Sequence, residues 1–204
     1  MGRQIIGVAL ALMVAGAAQA GERFPILAPD QMTPAQKTVA DAIMSGPRKT
    51  LTGPFNAWLR SPEIADRLQR VGEYLRFNST VPSRLNEFAI VITARAWDSE
   101  YEWYAHYPLA IAAGLKPAIA ADLARGVRPA GMAADEAAVF DFCAELRRDH
   151  GVSDATYARV QTLLGDRGVV DLTALEGYYD TVSMTLAVAQ VPAPPDGALP
   201  LPKR

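Results

Sequence analysis

Cysteine is nearly missing from this chain. Cys143 stands alone, so no intramolecular disulfide can form and a two-thiol redox centre is excluded. An excess of either charge is missing too, with 20 Lys and Arg against 22 Asp and Glu. Without a basic surplus nothing neutralises a phosphate backbone, so nucleic acid is not an expected partner. Histidine is scarce: only His106 and His150 occur. Neither has an HxxxH mate or a third ligand at matching spacing, so no metal and no cofactor are expected. His150 precedes Gly151 at an expected helix end, where a cation suits the helix dipole. In the body of the chain no apolar run reaches the roughly 18 residues of a membrane span. No strand of alternating period and no clear repeat stand out.

What is present begins with an address. Arg3, an apolar stretch over 5–17 and Ala18-Gln19-Ala20 have the three-part layout of a secretory signal peptide over 1–20. Cleavage after Ala20 is expected, with a periplasmic or secreted product starting at Gly21 and no membrane contact afterwards. The competing reading, an uncleaved anchor, has an apolar stretch short for a full span. The rest of the 204 residues, half of them hydrophobic and with a net charge of −2, fits one domain over 21–204.

That domain reads as all-α. Thr33-Pro34-Ala35-Gln36 carries an N-cap threonine, a proline at the first helical position and a glutamine three after the cap. The helix it opens is broken by Ser45-Gly46-Pro47. After a short segment over 55–60, a helix from Ser61-Pro62 spaces Ile64, Leu68, Val71 and Leu75 along one face. The helix from Ser83 is apolar on nearly every side and is expected to be central and buried. Another follows over 99–113, ended by Gly114. Shorter helices over 116–125, 135–149 and 153–164 precede a long one over 169–190, and a proline-rich tail starts near 191. The expectation is a single-core bundle of about seven to nine helices.

Within it, Glu87, Ser99, Glu102 and His106 have a telling spacing. At about 100° per residue, Glu102 and His106 lie about 40° apart on a helical wheel, and Ser99 and His106 about 20° apart. Glu87 sits one helix earlier and reaches that stripe if the two helices pair. Two carboxylates and an imidazole in one pocket make a proton-transfer constellation. Glu87 is the most telling, because an unpaired carboxylate in an apolar helix needs a partner or its proton. His106 and Arg95 are the candidates. Ser99-x-x-Glu102 also reads as a capping box, and both readings stay open. Pro108 lacks an N–H and is expected to kink the helix beyond His106. Among the aromatic residues clustered here, Tyr101 and Trp103 are candidates to line a pocket for a flat organic substrate. An arginine, Arg84 or Arg95, is expected to hold a substrate carboxylate.

The stretch from about Gly53 to Leu115 resembles the carboxymuconolactone decarboxylase family, which includes the alkylhydroperoxidase D-like proteins. The likeness rests on Gly53-Pro54-Phe55-Asn56-Ala57-Trp58-Leu59, on Pro82-Ser83-Arg84-Leu85-Asn86-Glu87, on Glu100-Tyr101-Glu102-Trp103-Tyr104-Ala105-His106, and on Ala113-Gly114-Leu115. Family peroxidases carry a glutamate, two cysteines three apart, and a histidine four after the second. Glu87 falls on the glutamate, Ser99 and Glu102 on the cysteines, and His106 on the histidine. The resemblance implies an alkylhydroperoxidase D-like bundle and assembly as a homotrimer or homohexamer. It also implies cofactor-free decarboxylation or proton transfer on a small carboxylated lactone or keto acid. Peroxidase activity, the family's other chemistry, needs two thiols that this chain lacks. Cys143, on an apolar helix face, reads as a small buried filler. The remaining alternative is a non-catalytic helical binding module.

Overall fold

The computed structural model describes residues 23–194 and 201–202. The expected leader and most of the proline-rich tail lie outside the described residues. Among the described residues eight α-helices follow a short 3-10 turn: α1 (Pro34–Ser45), α2 (Pro54–Trp58), α3 (Pro62–Phe77), α4 (Ser83–Ala96), α5 (Glu100–Ala112), α6 (Pro117–Ala124), α7 (Ala134–Asp149) and α8 (Asp154–Ala189). No strand occurs among the described residues. The protein is an all-α bundle.

The helix boundaries follow from local chemistry. At α1 the Thr33 hydroxyl accepts the N–H of Gln36, and the Gln36 side chain accepts the N–H of Thr33 at 2.8 Å, closing a capping box. Proline opens α1, α2, α3 and α6, where its missing N–H has no helical partner to lose. Helix α8 contains one break: Gly165 takes φ 68° and ψ 176°, which separates two helical segments, as the sequence suggested.

Helix α4 is the axis of the molecule. Phe88, Ala89, Ile90 and Val91 are fully buried, and α5, α7 and α8 all pack on this helix. Each large side chain so buried contributes about 1.5–3 kcal/mol of transfer free energy. Helix α3 departs from expectation. Of the apolar series Ile64, Leu68, Val71 and Leu75, only Leu75 is fully buried, while Ile64 is 49% and Val71 45% exposed. The buried face is instead Ala65, Gln69, Gly72 and Leu75. Small residues there admit close neighbours: a Cβ at Gly72 would overlap the Tyr178 hydroxyl and Arg48 Nη2. Proline also acts more mildly than expected in α5, which runs through Pro108 without interruption.

Candidate active site

Helices α4 and α5 are joined by the short turn 97–99 and fold back on each other. Asp98 takes a left-handed φ of 49° in that turn. This pairing brings Glu87, near the start of α4, against His106 of α5. Glu87 Oε2 lies 2.7 Å from His106 Nδ1, and both side chains are buried. With Nδ1–H donating to that carboxylate, the imidazole is held in one tautomer and orientation, and Nε2 is left as an acceptor. Nε2 faces the Tyr179 hydroxyl at 3.3 Å and Glu102 Oε2 at 3.5 Å. Tyr179 meets the imidazole edge-on, at 5.1 Å between ring centroids. On the far side of Glu87, Arg76 Nη2 lies 3.9 Å from Oε1.

The group opens into a cavity of about 140 Å³. Glu102, His106, Tyr178 and Tyr179 form one wall, and Arg48, Arg76, Phe55 and Tyr101 are also in its lining. Burial raises Glu102 above the usual carboxyl range. The charges of His106, Arg76 and Arg48 oppose that rise, and Glu87 adds to it. Burial likewise pushes the Tyr178 hydroxyl up to about 12 and Tyr179 well above its ordinary value, so both remain donors near neutral pH. The arrangement therefore offers an oriented imidazole, a carboxyl biased toward its protonated form and neutral phenols around one small space. Such a set moves protons.

Glu102, His106 and Tyr101 line this cavity and Glu87 backs His106, but the other expected site residues lie elsewhere. Arg84 is drawn to the first turn of α7, where it pairs with Asp135 at 2.6 Å and with Glu136. Arg95 donates to the carbonyl of Pro202 at 2.6 Å and lies 3.4 Å from Asp98. Neither is placed to hold a substrate in this cavity, because each guanidinium already has a carboxylate or carbonyl partner. Trp103 is buried in the core and stacks on Tyr107.

Ser99 lines a different depression, between the α4–α5 turn and the end of α8. The capping-box reading fails with it, since the Ser99 hydroxyl makes no cap bond. Its ψ is 93°, whereas the side chains that do cap, Thr33 and Ser153, sit at ψ 160° and 153°. Glu102 is thereby released from the helix end and turns to the imidazole. Arg48, Arg76, Tyr178 and Tyr179 were not singled out from the sequence. Tyr179 lies 73 residues from His106, and no periodicity within one helix links them.

Among the described residues no group of three or more His, Cys, Asp or Glu side chains is arranged to hold a metal ion. No helix among them is long and apolar enough to cross a membrane. No protein-family model matches the chain, and no curated protein matches it either.

Proposed function

We propose that this protein is a cofactor-free enzyme that moves a proton at a carbon next to a carbonyl, with decarboxylation of a small carboxylated lactone or keto acid as the favoured reaction. The observation that carries this reading is the buried Glu87–His106 hydrogen bond of 2.7 Å beside a cavity. In the reaction the bond between the α-carbon and the carboxylate breaks and CO₂ leaves. Its electron pair passes into the neighbouring carbonyl as an enolate. Groups facing the cavity, the Tyr179 hydroxyl and Glu102, which burial biases toward its proton-bearing form, stabilise that developing oxyanion. A proton taken up from solvent at His106 Nε2 is passed to the α-carbon, which returns Nε2 to its acceptor form, and Glu87 steadies the imidazole as its charge changes.

The resemblance to carboxymuconolactone decarboxylases supports the same reading. Thiol peroxidase chemistry is disfavoured: Ser99 and Glu102 stand where the two redox cysteines would be, and Cys143 is buried with its thiol pushed well above its usual pKa by burial. Export behind a leader cut after Ala20, and assembly with copies of itself, belong to the same proposal. The exposed apolar face of α3 around Ile64 and Val71 suits self-association.

The test incubates the protein with small carboxylated lactones and β-keto acids in deuterated water. The expected result is CO₂ release with deuterium at the α-carbon, lost in His106→Ala. Absence of exchange and of CO₂ release across the panel overturns the reading.

A further inference from the structure

The cavity has a cationic side that the proton-transfer set does not use. Arg48 Nε and Arg76 Nε are both buried without a hydrogen-bond partner. Arg48 is held by weak neighbours: the Tyr178 hydroxyl at 3.5 Å and the faces of Phe55 at 5.1 Å and Phe77 at 5.8 Å. Arg76 has Glu87 at a loose 3.9 Å and the face of Phe77 at 5.1 Å. The Glu87 oxygen nearest His106 is already committed to the imidazole.

Two guanidiniums stand here beside Glu87 and Glu102, and burial biases Glu102 toward its neutral form. Arg147, by contrast, meets two carboxylates, Glu176 and Asp180, each at 2.8 Å. Leaving guanidinium N–H groups unanswered in a partly buried place is costly, so their retention beside a cavity calls for an acceptor that comes from outside.

We infer that Arg48 and Arg76 form the anion-binding subsite of this cavity, and that its ligand is a small organic monocarboxylate lying between these arginines and His106. The inference rests on the proposed enzymatic reading for its location and adds the ligand's charge and orientation. The planar fork of a guanidinium matches a carboxylate. Phe55 and Val182 in the lining give the body of the ligand an apolar surface. The cavity of about 140 Å³ is close to the roughly 150 Å³ that encloses a benzene ring, so the ligand is small. Gly72 is part of the same device. With no Cβ it lets Arg48 Nη2 and the Tyr178 hydroxyl close in on α3.

Calorimetric titration of the full chain with benzoate and levulinate, each against its own amide, tests this. The acids bind, and the amides bind at least about ten-fold more weakly, since a charge-assisted hydrogen bond supplies that much. Arg48→Gln and Arg76→Gln each reduce acid affinity by about ten-fold and leave amide affinity unchanged. Gly72→Ala, which keeps both charges but displaces Arg48, weakens acid binding as well. Thermal unfolding of each variant separates lost binding from lost fold. Equal binding of acid and amide, binding of neither acid, or acid affinity unmoved in a folded Arg48→Gln protein overturns the subsite. Acid-selective binding without turnover of any substrate upholds the subsite and removes the enzymatic reading. Turnover untouched by Arg48→Gln does the reverse.

Discussion

Two buried carboxylate clusters each include a residue of α4, and they differ in how completely their charges are answered. In the first, Glu176 receives Arg147 Nε at 3.0 Å and the Thr93 hydroxyl at 2.9 Å. Arg147 continues to Asp180 at 2.8 Å, and Asp180 also accepts Trp97 Nε1 at 2.6 Å. Three helices are tied together, and the arginine also donates to Thr93. In the second, Glu87 and His106 bond well, but Nε2, Glu102 and two arginines face a cavity with long or missing contacts. Burial raises both Glu176 and Glu102. A satisfied buried network holds a fold in one arrangement; a partly satisfied one beside a cavity has groups left to act on a ligand.

The largest effect expected from breaking this contrast is at the closed cluster. Arg147→Ala leaves Glu176 buried without its counter-charge and should cost about 3 kcal/mol of stability. Urea unfolding checks it, and a loss below about 1 kcal/mol would show that the cluster is not a fastener. At the open cluster the order reverses. Glu87→Gln keeps the shape and should cost about 10²-fold in rate, read on whichever substrate turns over, with a smaller change in stability.

A subtler distinction comes from pH. The folded-state pKa of Glu102 is raised above its ordinary 4.5. Its contribution is therefore fully present below pH 4.5 and is lost as pH rises through the raised value, because the folded state holds the proton that the unfolded state has released. Glu102→Gln cannot ionise, so relative to the parent it should gain stability as pH climbs from 4.5 upward, seen in unfolding curves across that range. An unchanged difference between the two proteins would mean that Glu102 is not desolvated. The smallest effect belongs to Ser99→Ala. With no cap bond to lose, the change should stay within about 0.5 kcal/mol, against the roughly 1 kcal/mol of a true cap.

Local rules carried far in this chain. The cap at Thr33, the prolines that open α1 and α3 and the division of α8 into two helical segments were legible because each acts on backbone within a few residues. The burial of α4 was legible from its unbroken apolar run, and its lone Glu87 announced a need for a partner. Composition alone also ruled out a disulfide within the chain and a two-cysteine redox pair.

Other features depended on which surfaces meet. Ile64 and Val71 look like core by spacing, yet α3 turns its small residues inward because Gly72 admits Tyr178 and Arg48. Ser99 and Glu102 match a capping box by spacing, yet one backbone angle decides that the hydroxyl misses and the carboxyl turns to His106. Sequence spacing also cannot rank cations: Arg84 and Arg95 sit beside the motif but are claimed by α7 and by residue 202, while Arg48 and Arg76 arrive from a loop and another helix. Residue types and helix periods, which act over a turn or two, set the all-α class and the presence of an acid, a base and an imidazole. Only packing of α3, α4, α5 and α8 decided which groups share a cavity, because charge pairing and burial are settled by distances in space and not along the chain.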